Sequence, residues 1–135
     1  IRFEPTQDKA VKRYLVLDSE QTVSVTGVSF ERAGIAVDVR SGSAEIVNST
    51  FTDSEYSALN ITGSASPIFR DCVIEGSNTS GVVVENHAKP VFSGCRFSGN
   101  QPFHIQSTSI YEVNAEGNSW EPAASSSTIL GEVRY

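Results

Sequence analysis

A short pattern of apolar and polar positions returns five times along this chain. Each copy is an apolar residue, a spacer, a Gly, Asn or Asp, a small residue, another spacer and a second apolar residue; the copies occupy residues 25–30, 46–51, 69–74, 92–97 and 115–120. The distance between copies is 21 residues once and 23 residues three times. A unit this short cannot bury its apolar side chains alone, so each copy must stack on the next. The pattern therefore predicts a solenoid.

A second apolar segment follows each of the first four copies and alternates with a period of two, which is typical of a β-strand. The alternation predicts two inward columns, which are Val37, Leu59, Val82 and Phe103, and Val39, Ile61, Val84 and Ile105. The residues between them are predicted to face outward: Asp38, Asn60, Val83 and His104. Each turn of the solenoid therefore contributes two short strands joined by two polar turns.

The third position of the repeat predicts a sharp bend of the backbone. It is occupied by Gly27, Asn48, Asp71, Gly94 and Gly117. These residue types adopt a left-handed backbone at the lowest cost. A hairpin would use such a residue too, but hairpins would not repeat it at a constant spacing with like side chains in columns. The column therefore indicates a coil that bends at the same place in every turn.

Both ends of the chain depart from the repeat. We predict an N-terminal cap or irregular first rung at residues 1–21, β-helix repeats at 22–120 and a C-terminal cap at 121–135. Tyr14–Leu17 has strand character, and Trp120 is expected to close the last rung in the core. Apolar residues near the C-terminus would then cover the final edge, which otherwise invites aggregation.

Two segments, Ser66–Asn100 and Asn114–Pro122, resemble the right-handed parallel β-helix repeat family, the pectate-lyase-like superfold. The first is similar to two standard repeats with Cys after the bend residue, and the second to the Gly-Asn-x-Trp closing motif of such domains. The resemblance implies an all-β chain that folds as a right-handed single-stranded parallel β-helix of about five rungs with capped ends. It also implies a link to enzymes that cleave or epimerise acidic polysaccharides.

Composition narrows the possible partners. The chain has 135 residues with 16 acidic and 10 basic side chains, a net charge of −6, and only Lys9–Arg13 form a basic run. That balance argues against a nucleic-acid partner. No apolar stretch is long enough to span a bilayer. The chain contains no Met, so we expect it to be a piece of a longer protein with flanking domains.

Cys72 and Cys95 lie one repeat apart and form no Cys-x-x-Cys pair, so neither a metal site nor a cofactor is expected. We favour two free, buried thiols over a disulfide, which stays the alternative. Both side chains would point the same way into the core, and that is poor disulfide geometry.

No constellation for catalysis emerges, and we assign no catalytic residue. General acid–base chemistry on a sugar needs two groups that converge. The outward positions instead hold scattered polar residues, which we take as candidate ligand-binding residues: Asp38, Arg40, Asn60, Glu85 and His104. We expect His104 to be exposed on a strand face. We favour a chain without catalytic activity, and a polysaccharide-active lyase or hydrolase is the alternative.

Three functions compete. The first is a non-catalytic module, a rigid spacer or binding surface for a carbohydrate or protein ligand, within a larger exported or cell-surface protein. The second is a fragment or small relative of a polysaccharide lyase or hydrolase, which ionisable groups with perturbed pKa values in a groove would favour. The third is an intracellular scaffolding repeat domain, with a cytoplasmic location. The identity of the ligand is not predicted.

Overall fold

The structure is a computed structural model that describes residues 2–3 and 13–135. The described residues form eighteen short strands, numbered in chain order, in three sheets. The first sheet contains β1 (Arg2–Phe3), β4 (Ser29–Glu31), β7 (Thr50–Thr52), β10 (Val73–Glu75), β13 (Arg96–Ser98) and β16 (Ser119–Glu121). The second contains β2 (Arg13–Asp18), β5 (Ile35–Ser41), β8 (Leu59–Ile61), β11 (Val82–Val84), β14 (Ile105–Ser107) and β17 (Ile129–Leu130). The third contains β3 (Ser24–Thr26), β6 (Glu45–Val47), β9 (Ile68–Arg70), β12 (Val91–Ser93), β15 (Val113–Asn114) and β18 (Val133–Arg134).

Successive strands visit the three sheets in turn, so the chain winds as a coil. Each strand pairs in parallel with the strand three places further along the chain. One rung is three consecutive strands, one from each sheet. The described strands form six rungs, from β1–β3 to β16–β18, and the coil makes about five turns. The predicted parallel β-helix is therefore confirmed. The prediction of two strands per turn was wrong, because the repeated pattern spans two strands, one on each side of the bend residue.

The bend between the third and first sheets lies at the column of Gly, Asn and Asp. The φ angles are +68° at Gly27, +56° at Asn48, +53° at Asp71, +63° at Gly94 and +77° at Gly117. The bend residues also join one rung to the next through the backbone. The Asn48 N–H donates to the Arg70 carbonyl at 2.9 Å, for example, and the Asp71 N–H to the Ser93 carbonyl at 3.1 Å. The bend thus turns the chain without interrupting the hydrogen bonds between rungs.

Aromatic and aliphatic columns fill the inside of the coil. The first sheet points Phe30, Phe51, Ile74, Phe97 and Trp120 inward, in register. Parallel stacking joins Phe30 to Phe51 with ring centroids 5.1 Å apart, and Phe97 to Trp120 at 4.4 Å. In the third sheet Phe69 stacks on Phe92 at 4.8 Å. Because strands of one sheet stack in register, like side chains meet and bury each other.

The two cysteines are free and buried beside the bend. The Cys72 thiol donates to the carbonyl oxygens of Arg70 at 3.3 Å and Ile46 at 3.5 Å. The Cys95 thiol makes the equivalent contacts one rung later. The neighbouring Cys95 side chain and burial raise the pKa of the Cys72 thiol. A buried thiol with a raised pKa is a poor nucleophile, so its role here is packing.

The C-terminal segment continues the coil. β17 pairs with β14, and β18 pairs with β15, so residues beyond Trp120 add strands to the second and third sheets. Near the N-terminus β2 pairs with β5 in the second sheet. Lys9 and Lys12 lie outside the described residues. In the described ranges, no helix is long and apolar enough to cross a membrane.

Candidate functional site

The predicted ligand residues Asp38 and Asn60 lie side by side on the outer face of the second sheet. The strand register places them in one column with Val83 and Gln106. Val83 separates the Asp38–Asn60 pair from Gln106. The outer face of this sheet therefore carries no continuous polar track.

Asp38 is held between two arginines. Its side chain is 8% exposed, and its Oδ2 atom accepts from Arg13 Nε at 3.1 Å and from Arg40 Nη2 at 3.0 Å. Arg13 belongs to the preceding rung, so the pair joins β2 to β5. A buried carboxylate needs such partners because losing its hydration is costly. Asp38 and Arg40, both predicted to bind a ligand, are thus engaged with each other.

The other outward polar residues form local hydrogen bonds or are exposed to solvent. Asn60 Oδ1 accepts from the Ser57 hydroxyl at 2.5 Å. Gln106 Oε1 accepts from the Ser80 hydroxyl at 3.0 Å. Glu85 is exposed in the turn after β11. The five predicted ligand residues do not converge on one point.

The expectation that His104 is exposed is wrong, because its side chain is fully buried. A backbone irregularity explains the error. The Ala58 carbonyl accepts from both Ala36 N–H and Val37 N–H at 3.0 Å, and the Gly81 carbonyl does the same for the next rung. Two consecutive residues are therefore buried at this point of the second sheet, and the burial repeats in four rungs, at 36–37, 58–59, 81–82 and 104–105. His104 occupies the first of these positions in its rung.

The predicted column alignment of the fifth rung was also wrong by two residues. Ile105 pairs with Val82, not with Val84, and the outward position opposite Val83 belongs to Gln106. Phe103 therefore lies before the strand. A shift by two residues preserves the alternation of faces, so the apolar pattern alone does not exclude it.

The structure places a groove on the outer side of the third sheet, which we call the third-sheet groove. Its volume is about 430 Å³. Three successive rungs supply it, since Val91, Asn114 and Arg134 lie opposite one another on β12, β15 and β18. The turns that precede these strands supply the rest of the lining: Lys89, Pro90, Tyr111 and Glu112.

The groove combines one aromatic face with charged and polar groups. Tyr111 is 44% exposed, and Lys89 Nζ lies 5.6 Å from the centre of its ring. On the β18 side of the groove, Arg134 Nε lies 2.7 Å from Glu116 Oε1, and Arg134 Nη1 lies 3.8 Å from Glu112 Oε1. Such a surface can stack on a flat apolar ligand face and form hydrogen bonds around its edge.

Sequence reasoning missed every residue of the third-sheet groove. Arg134 lay in the predicted C-terminal cap, and Tyr111 lay in a stretch that received no strand prediction. The spacing of 23 residues from Val91 to Asn114 was the available signal. Within the described residues, no group of His, Cys, Asp and Glu is placed to hold a metal ion.

Comparison with known proteins gives one match. The family described as right handed beta helix region matches residues 14–128. No curated protein and no solved structure matches the chain.

Proposed function

This chain belongs to the right-handed beta helix family, and we propose from that premise that it is a rigid, non-catalytic binding module for a carbohydrate chain. The third-sheet groove is the proposed binding site. The observation that carries the proposal is the half-exposed ring of Tyr111 beside Lys89, Asn114 and Arg134.

The chemistry of the groove suits a saccharide. The apolar face of a sugar ring packs on a tyrosine, and its hydroxyl groups exchange hydrogen bonds with ammonium, amide and guanidinium groups. The groove volume of about 430 Å³ lies in the range of small-molecule sites. Three stacked rungs hold the lining residues, so little ordering is required when a ligand binds.

The arrangement of the acidic residues supports binding over catalysis. Hydrolysis or elimination at a sugar requires an acid and a base that converge on one bond. The two carboxylates beside the groove, Glu112 and Glu116, both face Arg134. Their position favours a role in holding Arg134 in place.

The test measures binding of soluble oligosaccharides of neutral and acidic composition by calorimetry. We expect one class to bind, and Tyr111→Ala to weaken binding at least about fivefold, because truncating an aromatic anchor costs more than about 1 kcal/mol. Tyr56→Ala is the matched control, because Tyr56 is 40% exposed in the turn between β7 and β8. Release of reducing or unsaturated ends by the wild type would overturn the non-catalytic proposal. Binding of a protein but of no saccharide would overturn the carbohydrate proposal.

Export of this chain to the cell surface or medium belongs to the same proposal, since extracellular polysaccharides are its expected ligands. Fractionation of cells that express the natural gene tests this point. Recovery of the protein from the cytoplasm alone would favour the scaffolding function.

A further inference from the structure

His104 occupies a position where the preceding rungs carry very small side chains. The register aligns it with Ala36, Ala58 and Gly81. Its ring lies among aromatic rings, with centroids 6.1 Å from Phe97 and 5.6 Å from Trp120. An ionisable group has therefore replaced Ala or Gly inside the fifth rung.

The hydrogen bonds of Asn100 determine which nitrogen of His104 carries the hydrogen. Asn100 Nδ2 donates to the Ile74 carbonyl at 2.9 Å, and Asn100 Oδ1 accepts from the Ser77 N–H at 3.1 Å. Oriented in this way, Asn100 presents an N–H to His104 Nδ1 at 3.2 Å, so Nδ1 accepts. His104 Nε2 then donates to the Pro122 carbonyl at 2.8 Å. The site fits one neutral tautomer of the ring.

A second proton on His104 breaks this arrangement. It would set the Nδ1–H against the Asn100 N–H, and it would place a charge beside the rings of Phe97 and Trp120. Burial lowers the pKa of His104 from its usual 6.5, an effect that the Pro122 carbonyl and the charge of Glu121 partly oppose. Phe97 and Asn100 are uncharged, and β11 and β17 carry no titratable side chain.

We propose that His104 is an acid-sensitive latch: the neutral ring holds β17 and β18, the last two strands of the sixth rung, against the fifth rung, and the protonated ring releases them. The Pro122 carbonyl is the point of attachment, and the chain runs from there into β17 and β18. Among the described residues these strands pair on one side only. The terminal rung of a solenoid is stabilised by a single neighbour, so it opens before the inner rungs.

The direction of the pH effect follows from the lowered pKa. The open state binds the proton more readily than the closed state, so opening is favoured as the pH falls below about 6.5. The opening equilibrium rises by up to about tenfold for each pH unit, until the closed state also binds the proton. If the third-sheet groove binds a ligand as proposed above, the ligand is released in acid, because β18 supplies Arg134.

Hydrogen exchange read by mass spectrometry at about pH 7.5 and about pH 5 tests the latch without any ligand, after correction for the intrinsic pH dependence of exchange. We expect peptides covering residues 122–135 to lose protection in acid while β8 to β13 keep theirs. In His104→Gln the side-chain amide can still donate to the Pro122 carbonyl but does not titrate, so the acid response should vanish. His87→Gln alters the other histidine, which is exposed, and should respond like the wild type.

Nitrogen NMR of the wild-type imidazoles keeps the test independent of whether the variant folds. We expect the neutral Nε2–H form of His104 at about pH 7.5, and its protonation should coincide with the loss of protection in 122–135. The proposal is overturned if His104 titrates while that segment stays protected, or if His104→Gln keeps the acid response. It is also overturned if protection is lost uniformly along the coil. All three results leave the carbohydrate proposal intact.

Discussion

Gly63 and Gly27 have nearly the same φ angle in different surroundings. Their φ angles are +63° and +68°. A Cβ atom on Gly63 would lie against the Arg40 carbonyl oxygen, whereas a Cβ on Gly27 would meet no atom of the described residues within 4 Å. The column of Gly27 contains Asn48 and Asp71, so a side chain is accepted at that bend. Gly63 is therefore required for two reasons, since its φ angle is positive and there is no room for a Cβ atom.

This difference predicts unequal costs for the same substitution. We expect Gly27→Ala to lower the free energy of unfolding by about 1–2 kcal/mol, the cost of a left-handed backbone for Ala. Gly63→Ala should lower it by at least about 2 kcal/mol more, because the backbone carbonyl must also move. Urea unfolding of both variants measures the difference. Equal losses would show that the carbonyl yields without cost.

Residue type predicted the bends of the repeat and fits most other left-handed positions, but two residues depart from it. Arg32 and Ser80 also have positive φ, +51° and +59°. Neither residue type favours that conformation. The neighbouring rungs impose it, since the Arg32 N–H donates to the Thr52 carbonyl at 2.9 Å and the Ser80 N–H to the Gln101 carbonyl at 2.7 Å.

Among the strands and turns, two asparagines near the C-terminal end of the coil join successive rungs by the same pattern of hydrogen bonds. Asn100 accepts from the N–H of Ser77 and donates to the Ile74 carbonyl, 23 and 26 residues earlier. Asn118 accepts from the N–H of Cys95 and donates to the Phe92 carbonyl, again 23 and 26 residues earlier. Each amide thus satisfies backbone groups of the preceding rung at a corner of the coil.

Removal of one such amide should be costly because it leaves backbone groups without partners inside the protein. We expect Asn100→Ala to lower the free energy of unfolding by roughly 2–4 kcal/mol, from the penalty for buried unsatisfied groups. Asn78→Ala is the control, since Asn78 is exposed in the turn after β10, and it should change the stability little. Denaturant unfolding measures both, and similar values for the two variants would contradict the role of Asn100.

The apolar pattern of a short strand does not determine its register. The sequence pattern placed Phe103 opposite Val82, whereas Ile105 takes that place. Strands of three residues offer few apolar positions, and a shift of two keeps all of them on the same face. The length of the 99–103 turn and the contacts of His104 decide between the two registers, and both depend on the neighbouring rungs.

At the scale of the whole molecule, stability should vary along the axis of the coil. Each rung contacts only its neighbours, so an inner rung is supported from both sides and the sixth rung from one. Ile74 lies in the middle of the core and is fully buried. Ile129 lies in β17 and is 5% exposed. The same deletion of methyl groups should therefore have different consequences at these two sites.

We expect Ile74→Ala to lower the global free energy of unfolding by about 2–5 kcal/mol, the usual cost of a large cavity. Ile129→Ala should mainly increase hydrogen exchange in residues 122–135 and change the global midpoint less, because the sixth rung can open while the others stay folded. Thermal unfolding followed together with hydrogen exchange measures both effects. A global loss as large for Ile129→Ala as for Ile74→Ala would show that the coil unfolds as one unit.

The coil and its bends can be predicted from sequence alone, because stacking repeats the same physical requirement in every turn and so leaves a period of about 23 residues in the chain. Only the tertiary structure revealed the third-sheet groove, the pairing of Asp38 with two arginines and the burial of His104. Each of these depends on contacts between residues of different rungs or on a local departure from alternation. Such features occur once along the coil, so no repeat in the sequence records them.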